Sequence, residues 1–98
     1  MAKYLVLWKV DEDKMPADPK EKKQMLLEAV KQLKKELKSG IVKDWGTCLG
    51  ESHGYSIIEG NDLETHARHV GWMPMAKFTV HRVLTLDEVE KAYKGLPE

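Results

Sequence analysis

Four histidines and one cysteine are the side chains of this chain best suited to chemistry near neutral pH. An imidazole exchanges a proton in that range and also ligates metals. A thiol becomes a nucleophile or a metal ligand once ionised. His66 and His69 are three residues apart, a spacing that puts two imidazoles on one side of a helix. A metal site needs further ligands, and His53, His81, Cys48 and the carboxylates offer none at a diagnostic spacing. No metal and no cofactor is therefore assigned. His81 stands in the middle of an apolar strand-like run, where a group titrating near neutrality suits general acid–base work. His66 is the second candidate for moving a proton. Trp45 and Tyr55, on two other strand-like runs, are placed to flank a pocket beside His81. Cys48 has no evident activating base and reads as an inert thiol.

These residues are carried by elements whose hydrophobic period changes along the chain. Lys3–Val10 alternates, with Tyr4, Val6, Trp8 and Val10 on one face and Leu5 and Leu7 on the other. A solvated sheet face would alternate apolar and polar residues, so this strand is expected to be covered on both sides. An acidic connection with Pro16 leads to Asp18 as N-cap, Pro19 at N1 and Glu21 at N3, which opens a helix over Pro19–Ser39. Its stripe is Leu26, Ala29, Val30, Leu33 and Leu37, and Gly40 ends it.

Strand-like runs follow over Ile41–Leu49 and His53–Glu59, joined by the short polar connection Gly50–Ser52. Asn61 then caps a helix pattern over Asn61–Val70. Its spacing turns Leu63, Ala67 and Val70 inward, leaves His66 half-buried at the flank and puts His69 in solvent. Trp72–Met75 is apolar for a connection, suited either to a lid or to packing at the sheet edge. A strand over Ala76–Leu84 follows, and Thr85 with Glu88 forms the capping box of a short C-terminal helix. The order β-α-β-β-α-β predicts an α+β fold: one four-stranded antiparallel sheet with two helices on one face.

Residues 1–98 are expected to form one domain. Charged residues make up 33% and cancel to zero net charge, which argues against nucleic acid or anionic membrane as a partner held by bulk electrostatics. The seven lysines between Lys20 and Lys38 are interleaved with Glu21, Glu28 and Glu36 and read as a solvated face. A lone cysteine, no export signal and no long apolar run together predict a cytoplasmic protein with no membrane span. The same β-α-β-β-α-β plan serves RNA recognition, and His53–Gly60 partly matches that module's aromatic strand. Ile57 and Gly60 stand where its stacking rings belong, and His53 replaces its basic residue, so RNA is a minor alternative.

The runs Gly40–Gly46, His53–Asp62 and Phe78–Leu84 resemble a small domain family of unknown function in the dimeric α+β barrel (ferredoxin-like) superfamily. The likeness covers about Lys3 to Leu84, and Gly46 stands where that family often carries a histidine after the tryptophan. The resemblance implies a ferredoxin-like domain that pairs with a second copy through its open sheet face. It also implies relatives as varied as cofactor-independent monooxygenases, muconolactone-type isomerases, haem-dependent enzymes and stress-response domains. The expected function is binding of a small apolar or aromatic molecule between sheet and helices, with Trp45, Tyr55, His66, Trp72 and His81 lining the pocket. The alternatives are a cofactor-independent enzyme of monooxygenase or isomerase type in which His81 or His66 moves a proton, haem or metal binding through His66 and His69, and a dimer without a ligand.

Overall fold

The computed structural model describes residues 1–97. Strand β1 (Ala2–Val10) leads through a 3-10 turn (Glu12–Lys14) to helix α1 (Pro19–Ser39). Strands β2 (Val42–Thr47) and β3 (His53–Gly60), helix α2 (Asp62–Val70), strand β4 (Ala76–Val83) and helix α3 (Leu86–Lys94) follow. The sheet order is β2-β3-β1-β4, and every pairing is antiparallel. This is the ferredoxin-like α+β arrangement that the order of periods predicts.

The helix boundaries follow from local chemistry. The Asp18 carboxylate accepts from the Lys20 backbone N–H at 3.2 Å, and Pro19 takes the first helical position, where its missing N–H costs nothing. The Asn61 side chain accepts from the Glu64 N–H at 2.9 Å and starts α2. Thr85 and Glu88 bond each other's backbone in a complete capping box. In β2 the apolar positions Val42 and Trp45 are three apart instead of two. A register shift between Val42 and Asp44 absorbs the extra residue and keeps both on the same face.

Register sorts the strands into two faces. Tyr4, Val6, Trp8 and Val10 of β1 lie level with Ile58, Ser56 and Gly54 of β3 and with Val80, Phe78 and Ala76 of β4. This face meets α1 and α2. Its core is small: Tyr4, Val6, Val42 and Ile58 are buried, with Ala2, Trp45 and Phe78 packed against them. The opposite face carries Leu5, Leu7, Tyr55, Ile57, Thr79 and His81, and Leu7, Tyr55, Thr79 and His81 are exposed there.

Two helices sit differently from the sequence expectation. The stripe of α1 faces the sheet but stands off it, so Leu26 and Val30 stay 46% and 43% exposed, and Glu36 is the residue α1 buries. Helix α2 is turned about its axis. Leu63 is 83% exposed and Val70 is half exposed, while Thr65 and His69 are buried. Helix α3 buries none of its residues. Among the described residues, no helix is long and apolar enough to cross a membrane.

Candidate functional site

Because α1 stands off the sheet, a cavity of about 500 Å³ opens between the sheet face, α1 and the C-terminal end of α2. Its floor is built on all four strands. Trp8 and Trp45 lie parallel on it, ring centroids 5.2 Å apart and planes 12° from parallel. Trp8 reaches Trp45 by crossing β3 at Gly54, where the register puts glycine opposite Trp8. A Cβ there would meet the Gly46 carbonyl at 2.0 Å and Trp8 Cζ2 at 2.7 Å. The indole Nε1 of Trp8 donates to the Tyr55 carbonyl at 3.2 Å, which fixes the ring over β3. Phe78 continues the floor, Trp72 closes one end, and Leu26, Val30 and Leu33 of α1 form the far wall. All three tryptophans of the chain therefore line one space.

Few polar groups face this apolar surface. His69 is 6% exposed and sits edge-on to Phe78, ring centroids 4.6 Å apart. Its Nδ1 lies 2.7 Å from the Thr65 carbonyl. A carbonyl only accepts, so Nδ1 carries the proton and Nε2 presents a lone pair. Burial lowers the His69 pKa from 6.5; the Thr65 bond opposes this, and the Arg68 and His66 charges add to it. His69 is thus neutral at pH 7, and no hydrogen-bond partner of Nε2 is found among the described residues. Buried Ser56 adds a hydroxyl to the cavity floor. Arg68 also lines the space but is ion-paired with buried Glu36 of α1, so its charge is balanced within the wall. Glu12, Lys22 and Glu51, all exposed, stand around the mouth.

No protein-family model and no curated protein matches this chain.

Of the five residues that the sequence gathers around a pocket, Trp45 and Trp72 line this cavity. Tyr55 and His81 belong to the opposite sheet face: strand alternation points them away from Trp8 and Ser56. There the Tyr55 hydroxyl donates to Asp44 at 2.8 Å, which raises its pKa, and the ring lies beside Gly46. His81 is exposed beside Leu5. His66 is exposed on α2, whereas His69, expected in solvent, is the histidine inside. The two imidazoles of α2 thus face different surroundings. Trp8, Ser56, His69 and Phe78 complete the site without having been singled out as its lining. One signal for them was present: a glycine inside a strand, Gly54, marks a place where another group approaches closely.

Proposed function

We propose that this chain belongs to the dimeric α+β barrel proteins and binds a small apolar or aromatic molecule between its sheet and helices. The observation that carries this reading is the cavity of about 500 Å³ walled by Trp8, Trp45, Trp72 and Phe78. Its volume falls in the range of small-molecule sites, and its composition, apolar walls with one or two placed polar groups, is that of such sites. A stacked indole pair offers a flat ring a parallel surface, an arrangement that aromatic rings favour when offset. His69 Nε2 would accept from a hydroxyl or ring N–H on the ligand.

A cofactor-independent enzyme is the second reading, and His69 favours it over His81 and His66. It is the imidazole in the cavity wall, neutral and with a free lone pair, as a proton acceptor must be. The homodimer rests on the open sheet face, whose centre of Leu5, Leu7, Tyr55 and Ile57 is apolar where a solvated face would carry polar residues.

Intrinsic fluorescence tests the binding reading directly, because every tryptophan lies in the cavity wall. Titration with 2-naphthol is expected to quench it saturably, and Trp72→Ala to weaken that binding. Fluorescence unchanged up to the solubility limit of 2-naphthol overturns the proposal.

A further inference from the structure

A second group of chemically capable side chains lies outside the cavity, on the β2–β3 hairpin. Cys48, Glu51 and His53 each turn one ligand atom toward the same point, and the three atoms lie within 4.8 Å of one another. The hairpin backbone builds this. The Glu51 N–H donates to the Cys48 carbonyl at 3.1 Å and closes a turn whose third residue, Gly50, has φ 72°, a value natural to glycine. The Cys48 N–H donates to the His53 carbonyl at 2.9 Å, so the first and last residues of the trio are held side by side. The Thr47 hydroxyl adds bonds to the carbonyls of Glu51 and His53. Side chains that look scattered at one, four and six in the sequence are neighbours through these bonds.

We propose that Cys48, Glu51 and His53 bind a divalent transition-metal ion of the zinc type. A thiolate, an imidazole and a carboxylate suit zinc and do not suit calcium or magnesium, which prefer oxygen donors alone. Zinc bonds of about 2.0–2.3 Å in a tetrahedron set ligand atoms about 3.3–3.8 Å apart. The three ligand atoms already lie within 4.8 Å of one another on exposed side chains, so the proposal asks for a contraction of about 1 Å. His53 Nε2 now sits 2.5 Å from Glu51 Oε2, and the metal would enter between them. Three protein ligands leave a fourth position for water or for a ligand. Binding converts the Cys48 thiol to the thiolate and releases one proton to solvent.

Two neighbouring features fit a cation here. The hairpin borders a depression that is also lined by Asp11, Glu12 and Asp13 and by Lys9 and Lys77, with Lys9 opposite His53 in the sheet register. The Ser52 hydroxyl donates to Glu12 at 2.5 Å, which ties the acidic turn to the hairpin. Gly50, Glu51 and Ser52 also border the mouth of the aromatic cavity, so the ion would stand at its rim.

The test uses the full chain under reducing conditions, with zinc and cobalt(II) as probes. One equivalent of zinc is expected to bind at micromolar protein and to slow alkylation of Cys48, the chain's one cysteine, at least tenfold. Cobalt(II) is expected to show a near-ultraviolet thiolate-to-metal band. Cys48→Ser and His53→Ala should each weaken zinc binding at least tenfold with unchanged thermal melts, since both side chains are exposed. Equal zinc affinity in wild type and Cys48→Ser, cobalt binding without the thiolate band, or alkylation indifferent to zinc overturns the proposal.

Discussion

Trp8 stacks on Trp45 across an intervening strand, and the two rings meet because Gly54 separates them with nothing but backbone. Stacked pairs usually sit on adjacent strands. Here β3 lies between β1 and β2, and its glycine leaves the groove through which the indole passes. Gly54→Ala is the direct test. The new methyl would meet Gly46 O at 2.0 Å and Thr47 Cα at 2.8 Å, both backbone atoms that cannot swing aside. Overpacking ordinarily costs about 1–3 kcal/mol, and a backbone collision falls at the upper end or beyond. The urea midpoint should drop accordingly, and the near-ultraviolet circular dichroism of the coupled indoles should collapse. A folded Gly54→Ala variant with wild-type indole signal would show that the groove is not needed.

The ion pair of Arg68 with Glu36 joins α2 to α1 at the edge of the cavity. Glu36 is buried, so removal of its partner leaves a charge out of water. Arg68→Ala is expected to destabilise the protein by about 3–5 kcal/mol, the usual cost of breaking a buried pair. Replacing both, Glu36→Leu with Arg68→Met, should recover most of that loss, because an apolar pair needs no solvation. Chemical denaturation of the three variants checks this: a double variant no better than Arg68→Ala alone would mean that the pair holds the helices through geometry more than charge.

This pair also explains where the sequence was legible and where it was not. Caps, strands and sheet order follow from local signals, because Asp18–Pro19, Asn61 and the Thr85/Glu88 box each satisfy their own backbone within a few residues. The orientation of α2 does not. Its apolar stripe points Leu63 and Val70 inward, yet Arg68 finds Glu36 and His69 finds Phe78, and those distant partners turn the helix. A histidine whose Nδ1 is satisfied by its own helix is cheap to bury, and periodicity counts such a residue as polar. The aromatic floor was hidden for a related reason. Trp8, Trp45 and Phe78 are far apart in sequence and meet through strand register, whereas Tyr55 and His81 are separated from them by strand alternation alone.

His69 gives the protein a pH-dependent term. Its folded pKa lies below 6.5 because burial disfavours the cation. The unfolded chain therefore takes up a proton at a higher pH than the folded one. The stabilisation is complete above pH 6.5 and is lost as pH falls from there toward the folded pKa, at up to about 1.4 kcal/mol per unit. Urea midpoints measured at pH 7.5 and 5.5 should differ in wild type and differ less in His69→Gln. The charged neighbours are Arg68 and His66 on the same helix and Glu36 on α1, and none of them is altered in that comparison. An equal pH dependence in the two proteins would assign it to other groups.

The open sheet face makes the last prediction, on assembly. Leu5 and Leu7 alternate between Lys3 and Lys9 on β1, with Ile57 and Tyr55 beside them on β3. Leu7 is 46% exposed at the centre of this patch. A chain of this size buries only about two thirds of its unfolded surface, so covering the patch with a second copy would add stability that the small helix-side core lacks. Such a copy would be related by a two-fold axis, and each Leu7 would then face the same patch on its partner. One substitution alters both halves of the contact. Leu7→Lys is expected to convert a micromolar dimer to monomer in light scattering, with the cavity and its tryptophan fluorescence retained, because Leu7 points away from Trp8 and Val6. A wild-type monomer at those concentrations would overturn the dimer, and a Leu7→Lys dimer as tight as wild type would move the interface off this patch. The exposed apolar residues Leu86, Tyr93 and Leu96 around α3 are the next place to substitute.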